Sequence, residues 1–146
     1  MKTYAIADLH GRFYILLEVV ETIKKHSNGE SVRFVVMGDF IDRGPDSAGI
    51  IKYLKESQEA KLYDWDWVIL KGNHEDMMLQ CLGREQLDWW VGNGGGETLR
   101  SYGYKQGDLL HPLKIPTSHL SWLHGLPIYH LNDKQAFVHA GFNPDA

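Results

Sequence analysis

In the first half of the chain, short apolar runs alternate with stretches whose apolar residues recur every three or four positions. Thr3 to Ala7 is a β-prone run ended by Asp8-Leu9-His10-Gly11. Phe13, Leu16, Leu17, Val20 and Ile23 then follow at helical spacing, with charge on the opposite face. Ser27-Asn28-Gly29-Glu30 breaks that helix. Val32 to Met37 is nearly continuous and apolar, the pattern of a strand covered on both faces. After a loop rich in Gly, Asp and Pro, Asp46 or Ser47 is placed to cap a helix carrying Ile50, Ile51 and Leu54. Trp67 to Leu70 reads as a third strand and runs directly into Gly72-Asn73-His74-Glu75. The order β-α-β-α-β predicts a parallel sheet with right-handed crossovers, hence an α/β fold.

The second half reads mainly helical before it returns to strands. Helices are expected over Glu75 to Leu82 and Glu85 to Val91, separated near Gly83. Asn93-Gly94-Gly95-Gly96 reads as a loop, and Thr98 to Tyr102 as one more helical turn. Pro112 and Pro116 mark an extended connection, and Leu120 with Trp122-Leu123 suggests a further helix. Ile128 to Leu131 and Ala136 to His139 are expected strands, joined by a turn at Asn132-Asp133. With no repeat, low-complexity stretch or linker, residues 1–146 form one expected domain.

Composition narrows the function classes. Fifteen Lys and Arg against 19 Asp and Glu leave a formal charge of −4, which disfavours nucleic acid and anionic membranes as partners. The single Cys81 excludes an internal disulfide framework and suits a reducing compartment. No apolar run approaches the ~20 residues of a bilayer span. The apolar stretch after Lys2 meets Asp8 too soon for a signal peptide, so a cytoplasmic location is expected.

Four polar clusters fall just past the carboxyl ends of four expected strands. They are Asp8-x-His10-Gly11, Gly38-Asp39-x-x-Asp42-Arg43-Gly44, Gly72-Asn73-His74-Glu75 and His139-Ala140-Gly141. The carboxyl edge of an α/β sheet is where ligand sites form, because strand ends converge there while helices cover the faces. Carboxylate, imidazole and carboxamide without thiolate suit borderline-to-hard divalent metals such as Mn²⁺, Fe²⁺ or Zn²⁺. Taken singly, each cluster also fits a bland reading: Asp8 or Asn73 as a helix cap, Asp39 and Asp42 as turn residues, His139 as a satisfied imidazole. Their joint, ordered occurrence outweighs those readings and points to a dinuclear metal site.

These four clusters resemble the signature of the phosphoprotein phosphatase family within the calcineurin-like metallophosphoesterases. The segment Trp90 to Gly103, with Asn93-Gly94-Gly95-Gly96 and Thr98-Leu99, resembles that family's bacterial and phage branch. The resemblance implies an αββα sandwich with metals at the sheet edges. It implies that Asp8 and His10 hold the first of two divalent ions, most simply Mn²⁺, with Fe or Zn as alternatives. Asp39 would bridge both ions, and Asn73 and His139 would hold the second. His74, oriented by Asp42, would be the general acid, and Arg43, with Asn73, would grip the substrate phosphate. The implied reaction is hydrolysis of phosphoserine and phosphothreonine in proteins, with phosphotyrosine a further possible substrate. It would proceed by direct attack of a hydroxide bridging the metals, without a phosphoenzyme. Chemistry agrees: a carboxylate has two oxygens with which to bridge, and an arginine fork matches phosphate oxygens.

The resemblance also implies a further metal histidine, and often a second phosphate arginine, after His139-Ala140-Gly141. The chain ends at Ala146, so a domain incomplete before the last strands of the second sheet is expected. An open sheet edge there would favour self-association. His26, His111, His119, His124 and His130 fit no ligand motif and read as surface or packing residues. Two other functions compete: a diadenosine-polyphosphate hydrolase of the same superfamily and a catalytically impaired metal-binding fragment. The first is disfavoured by Asp42 before Arg43, where that branch tends to have alanine, and by Glu75 after His74, where it tends to have aspartate. A nuclease fits less well, because no basic stripe is interleaved with stacking aromatics.

Overall fold

In the computed structural model, residues 1–82, 84–105, 108 and 114–141 are described. The expectations placed on Gly83, His111 and Pro112 therefore lie outside the described residues. Three strands, β1 (Lys2–Ile6), β2 (Val32–Val36) and β3 (Asp66–Ile69), form a parallel sheet in the order β1-β2-β3. The crossovers carry helices α1 (Phe13–Ser27) and α2 (Ser47–Ala60), as the alternating pattern predicts. Helix α1 buries Leu16, Val20 and Ile23 along one stripe and ends at Asn28, whose left-handed φ of 48° turns the chain toward β2. Asp46 rather than Ser47 caps α2, accepting from the Gly49 amide at 2.8 Å.

Alternation within the sheet divides two cores. Phe34, Val36, Trp67 and Ile69 face the helices in the main core, which also holds Phe40, Ile50, Leu54 and Trp90. Val35 faces the other way and packs with Leu70 and Phe137. Phe137 lies on β5 (Ala136–Val138), which pairs antiparallel with β4 (Tyr129–Leu131). Helices, parallel sheet and hairpin thus stack as three successive layers. The two sheets are those expected of the sandwich, the second being a two-stranded hairpin among the described residues.

Along the chain between β3 and β4 come α3 (Asn73–Cys81), α4 (Leu87–Trp90), α5 (Gly96–Ser101) and α6 (Thr117–His124). One bland alternative falls and one local expectation is corrected. Asn73 does not cap α3: it is the first helical residue, and Gly72 precedes it with extended backbone. The glycine-rich run is not an open loop. Val91–Gly95 forms a wide helical turn joining α4 to α5, closed by Gly94 at φ 108°, a conformation that glycine reaches without a Cβ penalty. No described helix is long and apolar enough to cross a membrane.

The register places the chemistry. Ile6 pairs with Val36, and Val36 with Ile69, so the three strands end level at one edge. The residues that leave that edge are those of the first three polar clusters.

Candidate active site

The strand-end loops are held in unusual backbone conformations. Asp8, His10, Asp39, Asp42 and Arg43 all have positive φ, between 43° and 72°. Non-glycine residues adopt that region at a cost, and such positions persist where surrounding structure dictates them. Here part of that structure is a ladder between the loops: Asp8 N donates to Gly38 O (3.3 Å), His10 N to Asp39 O (3.0 Å) and Gly11 N to Phe40 O (2.9 Å). The β2 and β3 loops also touch directly. A Cβ on Gly38 would fall 2.5 Å from the Gly72 backbone nitrogen, so the close approach requires glycine there.

Glu75 fastens those same two loops. One of its carboxylate oxygens accepts from Asp39 N at 2.7 Å and Gly72 N at 2.8 Å. The other accepts from Phe40 N at 3.1 Å and Ile41 N at 3.4 Å. Burial pushes the Glu75 carboxyl up to about 8, while these backbone donors favour its charged form. The motif Gly72-Asn73-His74-Glu75 thus contains a structural keystone, Glu75, which the sequence reads as a helix start and a family marker but not as a brace between loops.

The candidate ligands converge around Asp39. His10, Asp39 and His74 can each bring one ligand atom within 4.8 Å of the others, and so can Asp8, Asp39 and His139. Asp39 belongs to both groups, as a bridging carboxylate should. Asp8 falls with His139 rather than with His10, its expected partner at the first ion. His10 Nδ1 bonds the Ile41 carbonyl at 2.8 Å, and His139 Nδ1 bonds the Met37 carbonyl at 2.8 Å. Each imidazole is thereby fixed in orientation and turns Nε2, with its lone pair, toward Asp39.

The donor set fits a cation. His139 Nε2 lies 2.9 Å from Asp39 Oδ2 and 3.0 Å from Asn73 Oδ1. With the ring proton on Nδ1 toward Met37, His139 Nε2, Asp39 Oδ2 and Asn73 Oδ1 are three electron-pair donors facing one another with no proton between them. A divalent ion satisfies that arrangement, in the hard-to-borderline O/N environment expected from the residue types. Rotating the Asn73 amide would instead let its nitrogen donate to His139 and Asp39 at 3.0–3.1 Å, so Asn73 can also close the cluster by hydrogen bonding.

Asp42 and His74 sit deeper. Asp42 is fully buried, and its Oδ2 accepts from His74 Nδ1 at 2.7 Å. The same oxygen accepts from Trp90 Nε1 at 2.9 Å, and Oδ1 accepts from Thr98 Oγ1 at 2.6 Å. The Asp42 amide reaches Ser47 Oγ and Thr98 Oγ1, each at 3.0 Å. Trp90 and Thr98 were not legible as site residues. The available signals were a donor-only indole among apolar neighbours and a hydroxyl just past a glycine run. Arg43 is exposed beside the cluster, with its backbone N–H on Gly94 O at 3.0 Å. The structure therefore gathers all eight expected site residues at one edge.

Comparison with known proteins agrees with this geometry. The calcineurin-like phosphoesterase profile matches residues 1–145. A serine/threonine-protein phosphatase 1 from Salmonella typhimurium is 33% identical over 93 residues, covering 63% of this chain and 38% of its own length. Symmetrical bis(5'-nucleosyl)-tetraphosphatases from Nitrosomonas europaea and Methylobacillus flagellatus are 29% and 31% identical, each covering 99% of this chain. They are matched over 46% and 44% of their own lengths, so the chain spans less than half of these curated relatives. A crystal structure provisionally assigned as a diadenosine tetraphosphatase shares the fold, with a TM-score of 0.61 at 23% identity over 99% of this chain and 52% of that one. The fold, the convergent ligand cluster and the nearly full-length profile match give one answer: the chain belongs to the calcineurin-like phosphoesterase family.

Proposed function

We propose that this protein is a metal-dependent phosphomonoesterase whose favoured substrates are phosphoserine and phosphothreonine in proteins. The observation that carries this choice is the buried Asp42–His74 pair, 2.7 Å apart. A serine or threonine alkoxide is a strongly basic leaving group and needs a proton as the bond to phosphorus breaks. With Nδ1–H committed to Asp42, His74 in its imidazolium form would carry its second N–H at Nε2, free to deliver that proton to the leaving oxygen and return to the neutral ring. Asp8, His10 and Asp39 would hold one divalent ion, and Asp39, Asn73 and His139 a second, most simply Mn²⁺, with Fe or Zn as alternatives. Such ions would supply an activated water and offset the charge on the phosphate oxygens. Arg43, exposed at the rim, offers a planar fork of donors to orient the phosphate.

A second reading is hydrolysis of symmetrical dinucleoside tetraphosphates. The near-complete matches to tetraphosphatases favour it, and by coverage they outweigh the partial match to a protein phosphatase. Its leaving group is a nucleotide phosphate, a far weaker base than an alkoxide, which makes less demand on His74. The test compares wild type and His74→Asn on a phosphoserine peptide, nitrophenyl phosphate and diadenosine tetraphosphate, with Mn²⁺ present and then chelated. The main reading expects peptide turnover that falls by ~10²–10⁴-fold in the variant, with a much smaller loss on nitrophenyl phosphate. Turnover of the dinucleotide with none of the peptide would replace it by the second reading.

A further inference from the structure

We propose that the segment Leu87–Ser101 is a clamp that positions the proton donor and the phosphate grip through separate residues. Trp90 and Thr98 act as positioning residues on Asp42, and through it on His74; Gly94 positions Arg43. This inference rests on the role of His74 as general acid.

The first jaw is a set of directed hydrogen bonds. Trp90 is fully buried, and its indole N–H is a donor with no lone pair to offer in return. Its bond to Asp42 Oδ2 therefore requires that oxygen to be an acceptor. With both carboxylate oxygens accepting, the proton between Asp42 Oδ2 and His74 comes from His74 Nδ1, so the ring's exchangeable proton, the one its imidazolium form donates, is the one on Nε2. Thr98 closes the other side of the carboxylate. Its hydroxyl donates to Asp42 Oδ1 at 2.6 Å and accepts from the Asp42 amide at 3.0 Å, so the residue is gripped at both ends. Buried Gly95 lies flat against the Trp90 indole, where a Cβ would collide with the ring.

The second jaw acts on the neighbouring residue. Gly94 O accepts from Arg43 N at 3.0 Å, and Arg43 itself is held at φ 71°. A Cβ on Gly94 would fall 2.6 Å from Arg43 Cγ, and φ 108° suits glycine alone. Adding a Cβ at Gly94 would therefore push on the stem from which the guanidinium projects. The continuous run of α4, the wide turn and α5 thus reaches both oxygens of Asp42 and the backbone of Arg43, which explains why the glycine run is wound rather than looped.

The experiment compares Trp90→Phe, Thr98→Val, Thr98→Ser and Gly94→Ala on an alkyl phosphate and on nitrophenyl phosphate, with His74→Asn as reference. Trp90→Phe and Thr98→Val should lower kcat on the alkyl phosphate by about tenfold or more, part of the ~10²–10⁴-fold of general acid catalysis. They should cost little on nitrophenyl phosphate, and Thr98→Ser should restore wild-type behaviour. Gly94→Ala should raise KM on both substrates without changing their kcat ratio. Metal-free protein gives a second readout: ¹⁵N-histidine spectra should show a single Nδ1–H tautomer for His74 in wild type and Gly94→Ala, and a mixture in Trp90→Phe and Thr98→Val. Equal losses on both substrates, with the tautomer unchanged, would overturn the clamp. If His74→Asn itself loses equally on both substrates, the general-acid reading has failed instead.

Discussion

Asp8, His10, Asp39 and Asn73 leave strands of a parallel sheet whose helix-facing side chains are buried among α1 and α2, and their loops are laced together by backbone bonds and the Glu75 carboxylate. His139 leaves a hairpin of two three-residue strands, with Ile128, Tyr129 and Leu131 more than half exposed. The hairpin is tied to the rest by a few links: Phe137 against Val35 and Leu70, His139 on Met37 O, and Lys71 N on Pro127 O. A two-stranded hairpin is marginal alone, so its place depends on the parallel sheet, while the converse does not hold. The difference is between candidate ligands fixed by a strained, well-bonded frame and a candidate ligand delivered by an adjustable arm. Metal held chiefly by the frame should therefore bind more tightly than metal that requires His139.

The largest test removes the residue common to both regions' ligand groups. If Asp39 bridges the two proposed ions, Asp39→Asn would leave them facing each other with no carboxylate between them. Loss of a partner that merely supports a metal ligand costs 10–100-fold, so loss of the bridging ligand should exceed roughly 10²-fold at both sites. Calorimetry with Mn²⁺ reads this directly. Wild-type stoichiometry and affinity in the variant would dissolve the idea that the frame and the arm meet at Asp39.

Glu75→Gln attacks the frame alone. The carboxylate satisfies four backbone donors, two at each oxygen. A carboxamide can accept at one end only, and its NH₂ would confront the other two N–H groups. Each donor left unsatisfied costs about 1–3 kcal/mol, so unfolding by denaturant should show a loss of a few kcal/mol. Both metal affinities should fall with it, because Asp39 and Asn73 sit on the two loops that Glu75 joins. An unchanged midpoint would mean that the inter-loop ladder suffices without the carboxylate.

Sequence reading reached unequally far into these regions. The three parallel strands are legible because burial on both faces produces unbroken apolar runs such as Val32 to Met37, and the ligands follow at fixed offsets. The hairpin is legible from Asn132, whose side chain accepts from the amides of Lys134 and Gln135 to make the turn. What stayed hidden is what only tertiary contact creates. Thr98 lies 56 positions from Asp42 and Trp90 lies 48, and nothing local in either residue announces a carboxylate partner. The glycine run misled for a related reason: its low helix propensity predicts a loop, but Gly94 and Gly95 are needed where the turn packs on Arg43 and Trp90.

The smallest test loosens the arm without touching a ligand. Phe137 is the hairpin's main apolar contribution to the second core, and Leu in its place keeps the site apolar while leaving space against Val35 and Leu70. A substitution of that size costs about 1–2 kcal/mol in a buried position. Because the frame makes none of its inter-loop bonds through Phe137, that cost should fall on the docking of the hairpin and hence on the placement of His139. Expressed wholly in metal binding, it is roughly a five- to thirtyfold weakening of the looser site. The tighter site proposed for the frame, centred on His10 and Asp39, should keep its affinity in the same titration. Equal weakening at both sites would show that the hairpin braces the frame as well, and that the two regions are one mechanical unit.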